Sequence, residues 1–262
     1  MKRTSMIAFV LVIGFSWTVG WAGEEKPTEW NFDKESAGQM PAGWKAGYTN
    51  PDKGKAVWAV SEDPTAPSPP YVFSLTKSES AGSVFNLAIA EKASFKDVDL
   101  TVKIKANSGK EDQGGGLVWR YKDENNYYIC RVNPLESNFR VYKVVEGKRT
   151  QLQSADVKAE TGKWLTVRAV MAGQHITCYL DGQKQLEATD DTFKDAGKVG
   201  LWTKADAASS FDNIVVKEAK ATAEDAKVVK PGQAPPKPDE EDDDDDDDDD
   251  AQPAPKNPER NR

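Results

Sequence analysis

The amino-acid sequence predicts an all-β domain, built as an antiparallel sandwich or barrel. Short runs rich in Val, Ile, Tyr and Trp recur about every 8–12 residues between Trp30 and Lys217. Turn residues such as Asp181-Gly182 separate these runs. No segment before Ala219 keeps a helical period over about 11 residues. This regular spacing is typical of antiparallel sheets and not of parallel βαβ units.

The predicted strands follow the apolar runs in chain order. These runs are Val57–Val60, Tyr71–Leu75, Val84–Ile89, Val98–Ile104, Leu117–Tyr121, Tyr127–Asn133, Phe139–Val145, Trp164–Val170, His175–Leu180, Val199–Thr203 and Phe211–Val216. Turn chemistry also occurs at Asn107-Ser108-Gly109, Glu146-Gly147 and Ala172-Gly173. The pair Asp181-Gly182 predicts a tight hairpin, because Asp and Gly both tolerate positive φ.

Alternation along the strands assigns their faces. In Val98–Ile104, apolar side chains alternate with polar ones, so one face is expected in the core and the other in water. Trp119 and Cys130 fall on the predicted core side of their strands, and a slip of one residue would invert a face. The predicted wet face carries Arg120, Tyr127, Arg131, Trp202 and Lys204, with Tyr142 as a further candidate.

The N-terminal residues 1–22 are predicted to be a secretory signal. Lys2 and Arg3 precede an apolar run, and Gly20 and Ala22 suit a cleavage site after Ala22. The alternative is a membrane anchor, since about 17 apolar residues reach the lower limit of a spanning helix. Cleavage predicts a secreted or periplasmic protein without a membrane partner.

The acidic charge is concentrated at the C-terminus. The 262 residues carry a net charge of −8, and residues 237–262 alone hold 13 acids and 4 bases. The predicted domain, residues 23–218, is therefore near neutral, which does not favour a nucleic-acid partner. Residues 219–262, with an unbroken acidic run from Asp239 to Asp250, are predicted to be disordered.

The role of this acidic tail stays open between solvation, calcium accumulation and capture of a basic protein. The run lacks the alternating ligands and central glycine of an EF-hand loop. His175 is the only histidine, so neither a zinc cluster nor a Ser-His-acid triad is expected. The sequence thus predicts no metal site and no certain cofactor, with calcium as a possible one.

The two cysteines, Cys130 and Cys178, each have apolar neighbours at two-residue spacing, so both are expected in the core. In an exported protein they could form a disulfide. Two buried free thiols on neighbouring strands are the alternative.

Several motifs carry a family resemblance. They include Pro41-Ala42-Gly43-Trp44, Gly115-Gly116-Leu117-Val118-Trp119-Arg120, Asn126-Tyr127-Tyr128, Gly197-Lys198-Val199-Gly200-Leu201-Trp202 and Phe211-Asp212-Asn213. Over Gly38–Val216 the chain resembles the concanavalin A-like lectin/glucanase superfamily, which includes laminin-G-like domains. More narrowly, it resembles the bacterial 3-keto-disaccharide hydrolase domains. The resemblance implies a jelly-roll sandwich that binds or cleaves glycans, with loop calcium as in many superfamily members.

The residues favour glycan binding on the concave sheet. Guanidinium groups offer planar donors and aromatic rings offer flat platforms; the candidates are Arg120, Tyr127, Arg131, Tyr142, Trp202 and Lys204. The second hypothesis is a hydrolase, which needs two carboxyl groups at a defined separation. The chain has no Glu-x-Asp-x-Glu strand motif, and its candidate acids, Asp123, Glu124, Asp206 and Asp212, lie in turns or at strand ends. The third hypothesis is a structural or adhesion domain.

Overall fold

The computed structural model describes residues 26–52 and 54–220. The predicted signal segment 1–22 lies outside the described residues, as does the acidic tail beyond 220, so their roles stay predictions. Within the described part of the chain, no helix is long and apolar enough to cross a membrane.

Within the residues that the structure describes there are fifteen strands. In chain order they are β1 (Thr28–Trp30), β2 (Trp44–Thr49), β3 (Ala56–Glu62), β4 (Tyr71–Ser78), β5 (Phe85–Phe95), β6 (Val98–Ser108), β7 (Gly115–Asp123), β8 (Asn126–Asn133), β9 (Asn138–Val145), β10 (Lys148–Asp156), β11 (Trp164–Ala172), β12 (His175–Leu180), β13 (Gln183–Thr189), β14 (Gly197–Lys204) and β15 (Ala208–Glu218).

The strands form two antiparallel sheets. The eight-stranded sheet has the order β13-β12-β11-β6-β15-β4-β3, and β1 pairs with β15 outside that path. The seven-stranded sheet has the order β10-β9-β8-β7-β14-β5-β2. The prediction of an all-β, antiparallel, two-sheet sandwich is therefore confirmed.

Every predicted run overlaps a strand, but the runs do not include β1, β2, β10 and β13. Strand β10 has only partly buried or exposed side chains, and β13 has one buried side chain, Leu186. Both are edge strands, which commonly carry polar residues and so lack the apolar alternation that marks a buried strand.

The tight turns follow the predicted chemistry. Asp181 and Gly182, with φ of 48° and 79°, join β12 to β13. Glu146 and Gly147, with φ of 52° and 80°, join β9 to β10 in the same way. Two consecutive positive φ values match the twist of paired strands, so the predicted hairpin at Asp181-Gly182 is confirmed.

The main core lies between the two sheets. The predicted inward side chains of β6, from Val98 to Ile104, are at most 1% exposed. Trp119 of β7 is fully buried in the same core, as predicted. A second apolar cluster covers the other face of the seven-stranded sheet, and it consists of Phe85, Leu87, Ile89, Val118, Tyr127, Ile129, Tyr142, Val144 and Trp202.

Strong curvature of the seven-stranded sheet encloses this second cluster. Strands β2 and β10 are its opposite edges, yet Asn50 Nδ2, just after β2, donates to the carbonyl oxygen of Gly147, in the turn before β10, at 3.1 Å. The hydroxyls of Thr49 in β2 and Tyr127 in β8 are 2.5 Å apart. The concave face is thus a second, nearly closed interior, which we call the curled face.

The two cysteines face each other across the main core. Cys130 lies on β8 and Cys178 on β12, so they belong to opposite sheets, and the expectation of neighbouring strands is wrong. In the structure both cysteines are buried and are not bonded to each other, and burial together with the adjacent Cys178 raises the pKa of the Cys130 thiol. That they form a disulfide in the exported protein stays a prediction.

Candidate functional site

The structure brings together five of the six residues predicted to bind a ligand. Tyr127 and Arg131 project from β8, Tyr142 from β9, and Trp202 and Lys204 from β14, all on the curled face. The expectation that they face water is wrong for all but Lys204. The other four are at most 1% exposed, because the sheet closes over them.

Arg120, the sixth residue, lies elsewhere. A β-bulge interrupts β7 between Trp119 and Asp123, and Arg120 itself has φ of 46°. The bulge breaks the alternation, so Arg120 leaves the curled face and its prediction for that face is wrong. Its buried guanidinium donates to three carbonyl oxygens at 2.6–2.7 Å, those of Lys96, Phe193 and Gly173.

One end of the curled face holds a group that we call the charged cluster. Its members are Asp112, Arg131, Glu136, Tyr142 and Lys204. The Arg131 Nη2 atom donates to Glu136 Oε2 at 2.8 Å and to the Tyr142 hydroxyl at 3.1 Å. Its Nε atom is buried and has no hydrogen-bond partner among the residues described. The guanidinium therefore keeps one donor available.

Asp112 supplies an available acceptor in the same cluster. Its Oδ1 accepts from Asn133 Nδ2 at 3.1 Å. Its Oδ2 is buried, has no hydrogen-bond partner within residues 26–52 and 54–220, and lies 3.8 Å from Lys204 Nζ. Leaving a buried carboxylate oxygen without a hydrogen bond is unfavourable, so this atom remains an acceptor for a further donor.

Asp206 holds Asp112 in this position. Its carboxylate accepts from the backbone N–H groups of Lys110, Glu111 and Asp112 at 2.7, 3.1 and 3.1 Å. Burial opposes ionisation of Asp206, but these backbone donors lower its pKa. The loop between β6 and β7 is thereby tied to the turn after β14.

The two carboxyl groups of the cluster titrate in different pH ranges. Burial raises the pKa of Asp112 to about 6, although the charge of Arg131 opposes this rise. Burial also acts on Glu136, but the Arg131 charge and the hydrogen bonds from Asn138 and Arg131 lower its pKa to about 2. At neutral pH both are ionised, and Asp112 is much the more basic.

Solvent reaches the charged cluster through partly exposed side chains. The side chains of Lys204 and Glu136 are 24% and 37% exposed. Arg140, whose Nη1 lies 3.7 Å from Glu136 Oε2, completes this rim. Deeper along the face, the Arg149 guanidinium lies 4.5 Å from the Tyr142 ring and 5.4 Å from the Phe85 ring. Asp112 and Arg131, each 1% exposed, lie buried beneath this rim.

The predicted acids do not join this cluster as ligand-facing groups. Asp206 caps the loop described above. Asp123 accepts from the Asn125 N–H at 2.8 Å and stabilises the β7–β8 turn, and Glu124 follows it there. Asp212 is fully buried on the outer face of the other sheet, where burial raises its pKa to about 6. A catalytic role for any of them stays a prediction.

The sequence pattern did not single out Asp112 and Glu136. Glu136 lies five residues after Arg131 in the turn of the predicted β8–β9 hairpin, so its closeness to Arg131 could have been inferred. Asp112 lies in a loop whose path is set by Asp206, and no local pattern indicated where it would point.

Within residues 26–52 and 54–220 there is no group of three or more His, Cys, Asp or Glu side chains that could hold an ion. Bound calcium, in a loop or at the tail, stays a prediction.

Solved structures share the fold. A carbohydrate-binding module, CBM66 from Bacillus subtilis, is 22% identical with a TM-score of 0.53, covering 68% of this chain and 96% of the module. The β-glucanase of Bacillus licheniformis is 12% identical with a TM-score of 0.53, covering 74% of this chain and 99% of the enzyme. Both support the predicted concanavalin A-like jelly roll.

Sequence comparison adds one curated relative and one family. An extracellular exo-α-L-arabinofuranosidase of Streptomyces chartreusis is 33% identical over 99 residues, which is 37% of this chain and 12% of that protein. The chain thus spans only a small part of that relative. The family model described as a 3-keto-alpha-glucoside-1,2-lyase-like domain matches residues 28–217, most of the described domain. The chain therefore belongs to the 3-keto-alpha-glucoside-1,2-lyase-like domain family, as its resemblance to the 3-keto-disaccharide hydrolase domains predicted.

Proposed function

We propose that this domain binds a saccharide at the charged cluster. The observation that carries the proposal is a buried acceptor, Asp112 Oδ2, in the same cluster as a buried donor, Arg131 Nε, both without a hydrogen-bond partner in the described part of the chain. A sugar hydroxyl both donates and accepts, so one hydroxyl or a vicinal pair could satisfy both atoms.

The surroundings offer donors and acceptors that suit a hydroxyl-rich ligand. Asp112 and Glu136 supply acceptors, while Arg131 and Lys204 in the cluster and Arg140 and Arg149 beside it supply donors. Lys204 is partly exposed and its Nζ lies 3.8 Å from Asp112 Oδ2, so a ligand that reaches Asp112 would also meet the Lys204 ammonium. The names of the Bacillus subtilis module and the Streptomyces relative point to carbohydrates as well.

Calorimetric titration of the full chain with gluco- and arabino-oligosaccharides tests this proposal. Lys204→Met should weaken binding at least about tenfold, because it removes a cation beside the ligand's acceptors. Lys194→Met is the matched control, since Lys194 is exposed and pairs with Asp191 away from the cluster. The proposal would be contradicted if both variants lost the same affinity for the saccharide, or if the unaltered protein bound no saccharide at millimolar concentration.

A second candidate function is elimination from a 3-keto-glucoside. Its support is the family match together with two carboxyl groups whose pKa values are displaced in opposite directions beside one guanidinium. Such a separation is typical of acid–base sites. The C3 carbonyl makes the C2 proton acidic, so ionised Asp112 could remove it. The electron pair of the C2–H bond forms the C1=C2 double bond as the C1–O bond breaks, and the leaving oxygen takes the proton that Asp112 removed from C2.

Incubation of the full chain with a 3-keto-glucoside would distinguish this activity from binding alone. The conjugated ketone product absorbs in the ultraviolet, and its formation should rise with pH through about 6 as Asp112 ionises. Asp112→Asn should lower the rate about 100-fold or more while binding persists. No product from the unaltered protein, or full activity in the variant, would leave binding as the function.

A further inference from the structure

A cavity of about 430 Å³ opens on the outer face of the eight-stranded sheet, on the side of the sandwich away from the curled face. It crosses four adjacent strands, β3, β4, β15 and β6. Its lining is mainly polar, and the side chains that matter here are Ser61, Asp63, Ser74, Lys105, Asn107 and Ser210. The charged cluster does not include any of these residues.

Three serine hydroxyls form a row along the cavity floor. The Ser61 and Ser74 oxygens are 2.8 Å apart, and those of Ser74 and Ser210 are 2.9 Å apart. Asn107 Nδ2 donates to Ser210 Oγ at 2.8 Å. Each hydroxyl has one proton, and two protons suffice for the two bonds between the serines. Whichever way the row is oriented, one of its three hydroxyl protons remains for another acceptor.

A fixed pair of charges lies at one side of this row. The Lys105 ammonium pairs with the Asp63 carboxylate and donates to Thr65 Oγ1 at 3.1 Å. Thr65 in turn donates to Asp63 Oδ1 through its hydroxyl at 2.7 Å. The Lys105 ammonium also lies 5.2 Å from the centre of the Trp164 ring. Both charged groups are therefore held in place beside the cavity before any ligand arrives.

We propose that this cavity is a second saccharide site, separate from the charged cluster. The serine row offers a spare hydroxyl proton as a donor and lone pairs as acceptors. The fixed Asp63–Lys105 pair adds a charged acceptor and a charged donor, so several sugar hydroxyl groups could bind at once. Asp63 and Lys105 compensate each other, so this pair by itself favours neither an anion nor a cation. The Ser61 and Ser210 oxygens lie within about 6 Å of each other, so the row matches the size of a single sugar ring.

Two sites on opposite faces would let one chain hold two segments of a glycan, or two glycans. Binding at one site raises the effective concentration at the other when a single polymer reaches both. The second site does not depend on the charged cluster, and variants in the two places separate the proposals.

The test is nuclear magnetic resonance titration of the full chain with D-glucose, D-galactose, L-arabinose and D-fructose at millimolar concentration. At least one sugar should shift the Asn107 side-chain amide and the backbone amides of Ser61, Ser74 and Ser210. Ser61→Tyr, which fills the cavity from a partly exposed position, should weaken this binding about tenfold or more. Lys204→Met should leave these shifts unchanged.

Two further variants control for effects of the substitution outside the cavity and for loss of stability. Ser36→Tyr makes the same substitution at an exposed position outside the cavity and should bind as the unaltered protein does. If Ser61→Tyr lowers the melting temperature, Ser61→Ala replaces it and should still weaken binding. Absence of shifts at the serine row with every sugar, or unchanged affinity in the Ser61 variants, would overturn the proposal.

Discussion

At the scale of single residues, Arg120 and Arg131 show how one side-chain type can take different roles. Both are 1% exposed. Arg120 donates to three carbonyl oxygens and fastens β7 to the β5–β6, β11–β12 and β13–β14 connections. Arg131 keeps its Nε atom unpaired among carboxylates and a phenol. The first arrangement is complete as a structural contact, while the second leaves a donor for a ligand.

The role of Arg120 predicts a large effect on stability. Arg120→Met keeps the apolar stem but leaves three carbonyl oxygens without their donors, so unfolding free energy should fall by about 3–5 kcal/mol. Urea denaturation measures the change. Lys77→Met is the control, because the Lys77 side chain is 66% exposed and pairs with the exposed Glu79 at the surface, where little stability should be lost. Similar losses in both variants would show that Arg120 does not join these connections.

At the scale of elements, β7 lies where two strands approach too closely for a side chain. A Cβ atom on Gly116 would lie 1.9 Å from the Cys130 carbonyl oxygen and 2.7 Å from the Arg131 Cα, both in the backbone of β8. Backbone atoms of a paired strand cannot move aside without breaking the pairing. The Gly-rich start of β7 thus permits the pairing that positions Arg131.

Gly116→Ala should therefore destabilise the domain by about 3 kcal/mol or more, because the added methyl group forces β7 and β8 apart. Gly162→Ala is the comparison. Gly162 has φ of 79° and open space around its Cα, so only backbone strain of about 1–2 kcal/mol applies there. Chemical denaturation measures the unfolding free energy of both variants. A smaller loss of stability in Gly116→Ala than in Gly162→Ala would contradict the close approach of β7 and β8.

At the scale of the whole molecule, the domain has two interiors. The main core lies between the sheets, and the second lies inside the curled face. Closing the seven-stranded sheet buries polar and charged groups along with the aromatic rings, including Asp112. Burying a carboxylate disfavours its charged form, so the fold makes stability depend on pH.

The sign of this dependence follows from the raised pKa of Asp112. Its pKa is about 6 in the folded protein, above the ordinary value of 3.8, so between these values the folded state binds more protons than the unfolded state. Stability should fall as pH rises through this window, by up to about 3 kcal/mol from Asp112. Asp112→Asn, neutral at every pH, should match the unaltered protein near pH 4 and exceed it near pH 7.

Glu136 provides the opposite control. Its pKa is lowered to about 2, so its contribution to stability is present above its ordinary value of 4.5 and is lost as pH falls toward 2. Glu136→Gln should therefore be less stable than the unaltered protein near pH 7. Urea unfolding at several pH values tests both variants, and an Asp112→Asn protein that is less stable near pH 7 would refute the assigned burial.

Much of the architecture could be predicted from local patterns. Period-two alternation located the inner strands and gave the correct face for Tyr127, Arg131 and Trp202, because side-chain direction in a strand depends only on position along it. Alternation gave the wrong face for Arg120, because a β-bulge, with a positive φ at Arg120, shifts the two-residue period of side-chain directions. Alternation also missed the edge strand β10. The side chains of β10 do not alternate between apolar and polar, and the strand is defined by its backbone pairing with β9.

The sequence by itself determined the all-β class, the hairpin turns and which side chains share a face, since these depend on neighbours along the chain. Only the tertiary structure decided that the shared face curls into a second interior and that Asp112 meets Arg131 and Lys204 there. The reason is physical: alternation gives the side of a sheet on which a side chain lies. Curvature and loop paths, set by contacts between distant residues such as Asn50 with Gly147 and Asp206 with the Lys110–Asp112 backbone, decide whether that side meets water.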